Sequence, residues 1–290
     1  MADMMASDGL KISRLSRHIG ALVEGVDLSR PIAAATAARL KQLWLDHVIL
    51  LFRDQPLSQA DLRRVTEIFG PIGKLARPAK FRPPGFDNLL DDIMLISNIR
   101  ENGEAIGALP DGEMMFHHDM IHSELPHNGT CLFAVEVPSV GGNTLFANCY
   151  TAYETLDPAV RARLEGRRAR HFYSYGAVQR GDPNRQAVAA SAQSAHPVFR
   201  THDETGRKAV YVNRLMTEEI EGLEPDESAR LLELLFDHSE NPEFVYEHVW
   251  RPGDLIVWDN RASMHARTDF SPGERRLLLR TTIAGGVRPG

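Results

Sequence analysis

Residues 130–142 read TCLFAVEVPSVGG, an apolar run of strand length that ends in a proline and a glycine pair. Turn sequences such as DETG and RPGD separate further runs of this kind. These runs lie at 198–201, 209–212, 244–249, 255–258 and 277–283. Many short strands with Gly and Pro turns are typical of a barrel or a two-sheet jelly roll. The sequence therefore predicts a mainly β fold.

Helical spacing interrupts the β pattern. The predicted helices are Ala33–His47, Ser58–Phe69, Ala152–Glu165 and Asp226–His238, with Ser58 as an N-cap and Gly70 as a stop for the second. Prolines predict irregular structure at 74–85, and 101–111 is predicted to be a loop. No linker and no Gly-rich strand-to-helix fingerprint is present. We therefore predict a single α+β domain, residues 1–290, and exclude a Rossmann fold.

Composition narrows the function classes. The chain has 290 residues, of which 43% are hydrophobic and 25% charged, and its net charge is −6. A net negative charge disfavours a dedicated nucleic-acid binder. Two cysteines, Cys131 and Cys149, cannot form a disulfide scaffold. We find no signal core and no run of about 18 apolar residues, which predicts a cytoplasmic protein without a membrane segment.

Residues 114–120, MMFHHDM, hold the first candidate metal ligands. Side chains two apart in a strand point to the same face, so His117 and Asp119 would share a face while His118 points away. An imidazole and a carboxylate together suit a divalent metal of intermediate softness. The pattern alone is weak, because a satisfied polar pair explains it equally well.

A second candidate ligand lies far downstream, where the strand-like stretch 254–261, DLIVWDNR, is followed by His265. Two histidines and one carboxylate form the facial triad of non-haem iron oxygenases, which leaves three metal positions open. Taken alone, His265 is better explained as a half-buried loop histidine.

Residues 273–282, GERRLLLRTT, would place Arg276, Leu278 and Arg280 on one face of a strand. Two guanidiniums on an apolar strand are costly to bury without anionic partners, and arginine matches a carboxylate in a bidentate fork. The segment therefore indicates two bound anions, unless it is an edge strand with solvated arginines.

Taken in order, these pieces resemble the taurine dioxygenase-like Fe(II)- and 2-oxoglutarate-dependent oxygenases, a group that includes aryloxyalkanoate dioxygenases. The resemblance covers nearly the whole chain. It implies a double-stranded β-helix of the jelly-roll, cupin-like kind. The segments that carry it are 19–28, 51–55, 69–71, 97–98, 117–119, 136–144, 196–197, 206–208, 258–265 and the strand with Arg276 and Arg280.

The resemblance also implies roles for single residues. The iron ligands and catalytic residues would be His117, Asp119 and His265. The distal carboxylate of 2-oxoglutarate would be held by Thr144 and Arg276. The substrate-binding residues would be Arg280, Met120, Asn98 and Met216, with His122 and Tyr173 as further pocket walls.

The implied reaction uses Fe(II), 2-oxoglutarate and O2 to hydroxylate a small organic acid, such as a sulfonate or an aryloxy or other carboxylate, with release of succinate and CO2. A homo-oligomer, dimer or tetramer, is usual for such enzymes. Two positions depart from the family pattern: Phe116 stands where a tryptophan is frequent, and Glu113 stands where the taurine enzyme has an amide. A carboxylate at Glu113 would repel a sulfonate, which speaks against taurine as the substrate.

Two other functions remain open at this stage, a zinc-type hydrolase or lyase and a non-catalytic jelly-roll protein with a structural metal. The pair of arginines with Thr144 favours the oxygenase, because a hydrolase needs no second bound carboxylate. A structural site would be closed by a fourth protein ligand. The basic segment Lys74–Arg82 is either a lid over the site or a solvated loop.

Overall fold

The computed structural model describes residues 9–74, 89–107, 113–172 and 193–290. The basic segment Lys74–Arg82, which the sequence predicts to be either a lid or a solvated loop, lies outside these residues beyond Lys74, and so does Tyr173. In the described residues, no helix is long and apolar enough to cross a membrane.

The described strands, numbered along the chain, are short. They are β1 (Lys11–Arg14), β2 (Ala21–Glu24), β3 (Ile49–Phe52), β4 (Met94–Ser97), β5 (Arg100–Glu101), β6 (Glu104–Ala105), β7 (Met114–His117), β8 (Gly129–Glu136), β9 (Thr144–Asn148), β10 (Arg168–Phe172), β11 (Gln193–Pro197), β12 (Phe199–Thr201), β13 (Lys208–Val210), β14 (Thr217–Ile220), β15 (Val245–His248), β16 (Leu255–Asp259), β17 (Ser263–Arg267) and β18 (Leu277–Ile283).

Two larger sheets organise the chain. The first has the order β1-β2-β3-β16-β8-β18-β4, and the second has the order β15-β9-β17-β7. All pairs in them are antiparallel except β2 with β3. Smaller sheets join β11-β10-β14, β12-β13 and β5-β6. The mainly β class with helices is thus confirmed.

The described helices are α1 (Ala34–His47), α2 (Gln59–Phe69), α3 (Cys149–Thr155), α4 (Pro158–Leu164) and α5 (Pro225–Ser239), and a 3₁₀ turn spans Pro242–Phe244. The predicted cap of α2 is present, because the Ser58 hydroxyl accepts from the Asp61 N–H while the Asp61 carboxylate accepts from the Ser58 N–H. The helix ends at Gly70, as predicted.

The single helix predicted over 152–165 is wrong, because the chain breaks it into α3 and α4. Asn148 caps α3 by accepting from two backbone N–H groups, so this helix begins three residues earlier than predicted. Asp157 caps α4 in the same way, and Pro158 follows as its first residue. A proline lacks the N–H that would continue the preceding helix, which explains the break.

The loop predicted over 101–111 is also wrong in its first part, since β5 and β6 form a tight hairpin there. Asn102 and Gly103 occupy its turn with φ of 52° and 84°. An Asn-Gly pair with two positive φ angles is the preferred two-residue hairpin turn.

The continuous apolar runs of the central strands serve two cores. On β16, Leu255 and Val257 face helices α1 and α2, whereas Ile256 and Trp258 pack between the two larger sheets. Strands β8 and β18 alternate in the same way. A third core lies between α5 and the small sheets. Strands buried on both faces read as unbroken hydrophobic sequence, as observed.

Candidate metal centre and cosubstrate pocket

His117 and His265 stand side by side on neighbouring strands of the four-stranded sheet. They are direct cross-strand partners in the β7–β17 pair, and their ring centroids are 4.1 Å apart. Opposite residues of an antiparallel pair point to the same side of the sheet. Register thus brings together two histidines that are far apart in sequence.

Asp119 lies two residues beyond the end of β7, so strand alternation alone does not place it. Asn260 holds the backbone of Asp119 in place. Its Oδ1 accepts from the Asp119 N–H at 2.7 Å, and its Nδ2 donates to the Asp119 carbonyl at 2.9 Å. The same Nδ2 also donates to the carbonyl of His127. Sequence reasoning did not single out Asn260, although it lies in the WDNR segment that pointed to His265.

The three side chains form one cluster. A nitrogen of His117, a nitrogen of His265 and a carboxylate oxygen of Asp119 all lie within 4.8 Å of one another. Both Nε2 atoms are 4.0 Å from an oxygen of Asp119. His117 Nδ1 donates to the Met115 carbonyl at 2.9 Å, which leaves its Nε2 as the unprotonated nitrogen toward the cluster.

The electrostatics of the cluster suit metal binding. Burial lowers the pKa of both His117 and His265, so each imidazole is neutral near pH 7. Burial alone would raise the pKa of Asp119, but the guanidinium of Arg280 and the two imidazoles hold it well below its usual range. Neutral imidazole and ionised carboxylate are the forms that bind metals.

Arg280 contacts Asp119 directly, which the sequence did not predict. Its Nη2 lies 2.7 Å from Asp119 Oδ2, and the Thr130 hydroxyl donates to the same oxygen at 3.1 Å. The Nε of Arg280 is buried without a hydrogen-bond partner in the described residues. The role predicted for Arg280 in substrate binding stays a prediction, and the contact adds a second role.

His118 points away from the cluster and is fully buried. Its ring nitrogens lie 3.6 Å from Cys149 Sγ and 3.3 Å from Asn213 Nδ2. Burial lowers the pKa of His118 to about 3. It therefore belongs to the core next to Tyr211, whose ring centroid is 4.6 Å away.

Arg276 lies apart from the cluster, one residue before β18, and a bulge follows between Leu277 and Leu278. It is 2% exposed, and its Nε and Nη1 have no hydrogen-bond partner in the described part of the chain. Burial, with a smaller effect of Arg267, lowers the pKa of Arg276 to about 9. A buried guanidinium is costly without an anionic partner, and its N–H groups match a carboxylate.

The chain that leads into Thr144 passes beside this guanidinium. A Cβ added to Gly142 would lie 3.4 Å from Cδ and Nε of Arg276, so the chain that leads into β9 passes directly beside the arginine. Thr144 is 4% exposed and follows two residues later. The predicted role of Thr144 and Arg276 in holding the cosubstrate stays a prediction.

Asn98 is held by backbone atoms on both sides of Arg275. Its Nδ2 donates to the Glu274 carbonyl at 2.8 Å, and its Oδ1 accepts from the Arg276 N–H at 2.9 Å. The side-chain amide thus anchors the segment that carries Arg276. Its predicted substrate contact stays a prediction.

The remaining predicted site residues differ in their environments. Met216 is fully buried in a small apolar cluster with Ile121, Tyr211 and Leu215. Met120 follows Asp119, is half-buried and has a φ of +58°. Glu113 is exposed.

The chain is similar to known proteins along most of its length. The family described as taurine catabolism dioxygenase TauD, TfdA family matches residues 11–282. The (S)-phenoxypropionate/alpha-ketoglutarate-dioxygenase of Sphingobium herbicidovorans is 33% identical over 287 residues, 96% of each chain. Pentalenolactone F synthase of Streptomyces avermitilis is 35% identical over 290 residues, 94% of this chain and 93% of its own.

Among solved structures, a taurine dioxygenase from Burkholderia xenovorans superimposes with a TM-score of 0.79 at 30% identity, covering 97% of this chain and 92% of that chain. The match is thus continuous in sequence and in fold, and it includes both sheets and the strands that carry the clustered histidines. The chain belongs to the TauD, TfdA family of dioxygenases.

Proposed function

We propose that this protein is an Fe(II)- and 2-oxoglutarate-dependent dioxygenase that hydroxylates a small organic acid. The observation that carries the proposal is the buried guanidinium of Arg276, whose Nε and Nη1 have no hydrogen-bond partner among the described residues, in a chain that also assembles His117, Asp119 and His265. A metal hydrolase needs the three ligands but has no use for a second, enclosed carboxylate site.

The donor set fits ferrous iron. It consists of two imidazole nitrogens and one carboxylate oxygen, which is the facial triad of non-haem iron oxygenases. In the described residues, no fourth His, Cys, Asp or Glu joins the three. A structural metal site is normally closed by four protein ligands, so an open site favours catalysis over a structural metal.

With iron and 2-oxoglutarate bound, the site would couple oxidative decarboxylation of the oxo acid, which gives succinate and CO2, to hydroxylation of the substrate by O2. The chain itself supplies orientation. The Met115 carbonyl fixes the tautomer of His117, and Thr130 and Arg280 occupy one oxygen of Asp119. Asp119 would be the carboxylate ligand of the metal.

Arg276 and Thr144 would hold the distal carboxylate of the cosubstrate. A dicarboxylate satisfies the unpaired N–H groups of Arg276, which are costly to bury alone. Asn98 fixes the backbone on both sides of Arg275, so we assign it to the placement of Arg276.

The substrate is proposed to be a carboxylate or another small organic acid. The phenoxypropionate enzyme acts on such an acid by its name. Arg280 offers a buried Nε–H beside the cluster, and Met120 borders the ligand Asp119. These two residues are our candidates for contact with the acid.

We further propose that residues 1–290 are one domain whose two larger sheets form a double-stranded β-helix, or jelly roll. The antiparallel order of β16-β8-β18-β4 beside β15-β9-β17-β7 supports this architecture. We also propose that the protein is cytoplasmic and forms a homo-oligomer, a dimer or a tetramer. It is proposed to bind neither nucleic acid nor membrane.

The test is oxygen uptake and succinate release with Fe(II), 2-oxoglutarate and ascorbate, with EDTA as the control, across a panel of aryloxy acids, sulfonates, amino acids and other small acids. We expect metal-dependent succinate release that one class of acid accelerates. Hydrolysis of an ester or amide with zinc, without any 2-oxoglutarate consumption, would instead establish the hydrolase.

A further inference from the structure

Trp250 is joined to the proposed cosubstrate pocket by one hydrogen bond. Its indole Nε1–H donates to Thr144 Oγ1 at 3.0 Å, and both side chains are buried. A hydroxyl has one hydrogen to donate and two lone pairs to accept with. Because the indole occupies the oxygen from one side, the hydroxyl hydrogen has to point in another direction.

The indole is itself held in place. The ring of His248 meets it edge-on at 4.5 Å and 90°. His248 Nε2 donates to Asp254 Oδ2 at 3.1 Å, and its Nδ1 accepts from the Tyr246 hydroxyl at 3.0 Å. This chain of contacts fixes the angle at which Trp250 reaches Thr144.

The free direction of the Thr144 hydroxyl is set by its neighbours. Strand β9 lies between β15 and β17. Thr144 is paired with His248 on β15 and with Arg267 on β17. The segment leading into Thr144 passes beside the guanidinium of Arg276 at Gly142. Thr144 also pairs with Arg267, whose charge acts on Arg276, so an anion bound at Arg276 is our candidate acceptor for the Thr144 hydrogen.

We infer that Trp250 is a positioning residue that commits the Thr144 hydroxyl to donate to the distal carboxylate of 2-oxoglutarate. This inference rests on the proposed function. Without the indole N–H, the hydroxyl can also turn its hydrogen toward the space that the indole leaves, and part of the bound population loses the hydrogen bond to the cosubstrate.

The test measures binding rather than turnover. Mn(II)-loaded protein is titrated without oxygen, by calorimetry, with 2-oxoglutarate and with 2-oxovalerate, which has the same chelating end but no distal carboxylate. Trp250→Phe should weaken 2-oxoglutarate about fivefold, as expected for one hydrogen bond, and leave 2-oxovalerate unchanged. In turnover, KM for 2-oxoglutarate should rise while kcat is retained.

Two comparisons separate positioning from simple loss of packing. Trp44→Phe also removes an indole N–H, from a buried tryptophan whose Nε1 has no partner in the described residues. It should leave the affinities for 2-oxoglutarate and 2-oxovalerate unchanged. In a Thr144→Val background, Trp250→Phe should cost no further affinity. Thr144→Ser keeps the hydroxyl and should retain the sensitivity to Trp250→Phe.

Each outcome decides the question. An equal loss for both oxo acids would show that Trp250 only supports the fold, and no loss for either would show that its hydrogen bond has no effect on binding. Either result overturns the inference while the proposed function stands. If the wild-type protein binds no 2-oxoglutarate at all, the proposed function itself fails.

Discussion

His117 and Asp119 each have one polar atom held by the protein: the Met115 carbonyl holds Nδ1 of His117, and Thr130 and Arg280 hold Oδ2 of Asp119. The ring of His265 differs, because its Nδ1 is buried without a partner in the described residues and the ring packs against Phe146 and Trp258 instead. Orientation by packing is less exacting than orientation by a hydrogen bond. Each of the three nevertheless offers one atom of a kind that binds metals, and these atoms lie within 4.8 Å of one another.

Replacement of a single ligand should therefore remove activity. His117→Ala, Asp119→Ala and His265→Ala should each abolish turnover and weaken iron binding sharply, because only three protein ligands are available. His118→Ala should lower stability but keep iron binding, because its ring packs against Cys149 and Tyr211. Calorimetric metal titration checks this, and retained iron affinity in His117→Ala with loss in His118→Ala would contradict the assignment.

The second residue-scale prediction concerns two adjacent arginines. Arg276→Ala should raise KM for 2-oxoglutarate by roughly 30-fold or more, since losing one partner of a desolvated charge pair costs about 2–5 kcal/mol. Arg275→Ala is the matched control. Its side chain is exposed and pairs with Glu136, so KM should not change. Equal KM values for the two variants would refute the assignment of Arg276.

At the scale of elements, the side-chain amide of Asn260 connects two loop segments by hydrogen bonds. Asn260, which follows β16, binds the backbone of Asp119 after β7 and of His127 before β8. Asn260→Ala leaves these buried groups unsatisfied, which should lower the free energy of unfolding by about 2–3 kcal/mol and weaken metal binding. Denaturant unfolding and metal titration measure the two effects. Asn241→Ala, which removes an exposed cap, should leave metal affinity unchanged.

Sequence patterns predicted the elements better than their connections. The apolar runs at β8, β16 and β18 and the capped helix α2 were readable because burial and capping are local properties of the chain. The register that sets His265 opposite His117 was not readable, since it depends on how distant strands pair. The contact of Arg280 with Asp119 was missed for the same reason.

For the whole molecule, buried histidines should make stability strongly dependent on pH. Burial lowers the pKa of His118 to about 3 and those of His122, His127 and His196 to about 4. In the unfolded chain these groups titrate near 6.5. As pH falls below about 6.5, the unfolded state binds protons that the folded state does not, and stability is lost.

Each such histidine contributes up to about 1.4 kcal/mol per pH unit between about pH 6 and its folded pKa. Thermal or denaturant unfolding of the metal-free protein from pH 7.5 to 4.5 measures the slope. His196→Gln should reduce the slope of the free energy of unfolding against pH by the contribution of one titrating histidine. Stability that does not change between pH 7 and pH 5 would show that these rings are not held neutral.

The ion pair between Asp119 and Arg280 has a consequence for the order in which charges assemble. One carboxylate, one guanidinium and two neutral imidazoles leave the cluster without net charge, so a divalent cation that enters alone brings two uncompensated positive charges into a buried place. The chelating carboxylate of the cosubstrate offsets one of them, and its distal carboxylate pairs with the charge of Arg276. By thermodynamic linkage, the metal and the cosubstrate should then each tighten the binding of the other by the same factor. Dialysis against a chelator should accordingly remove the metal more slowly when 2-oxoglutarate is present. The protein would then retain its metal mainly while the cosubstrate is also bound.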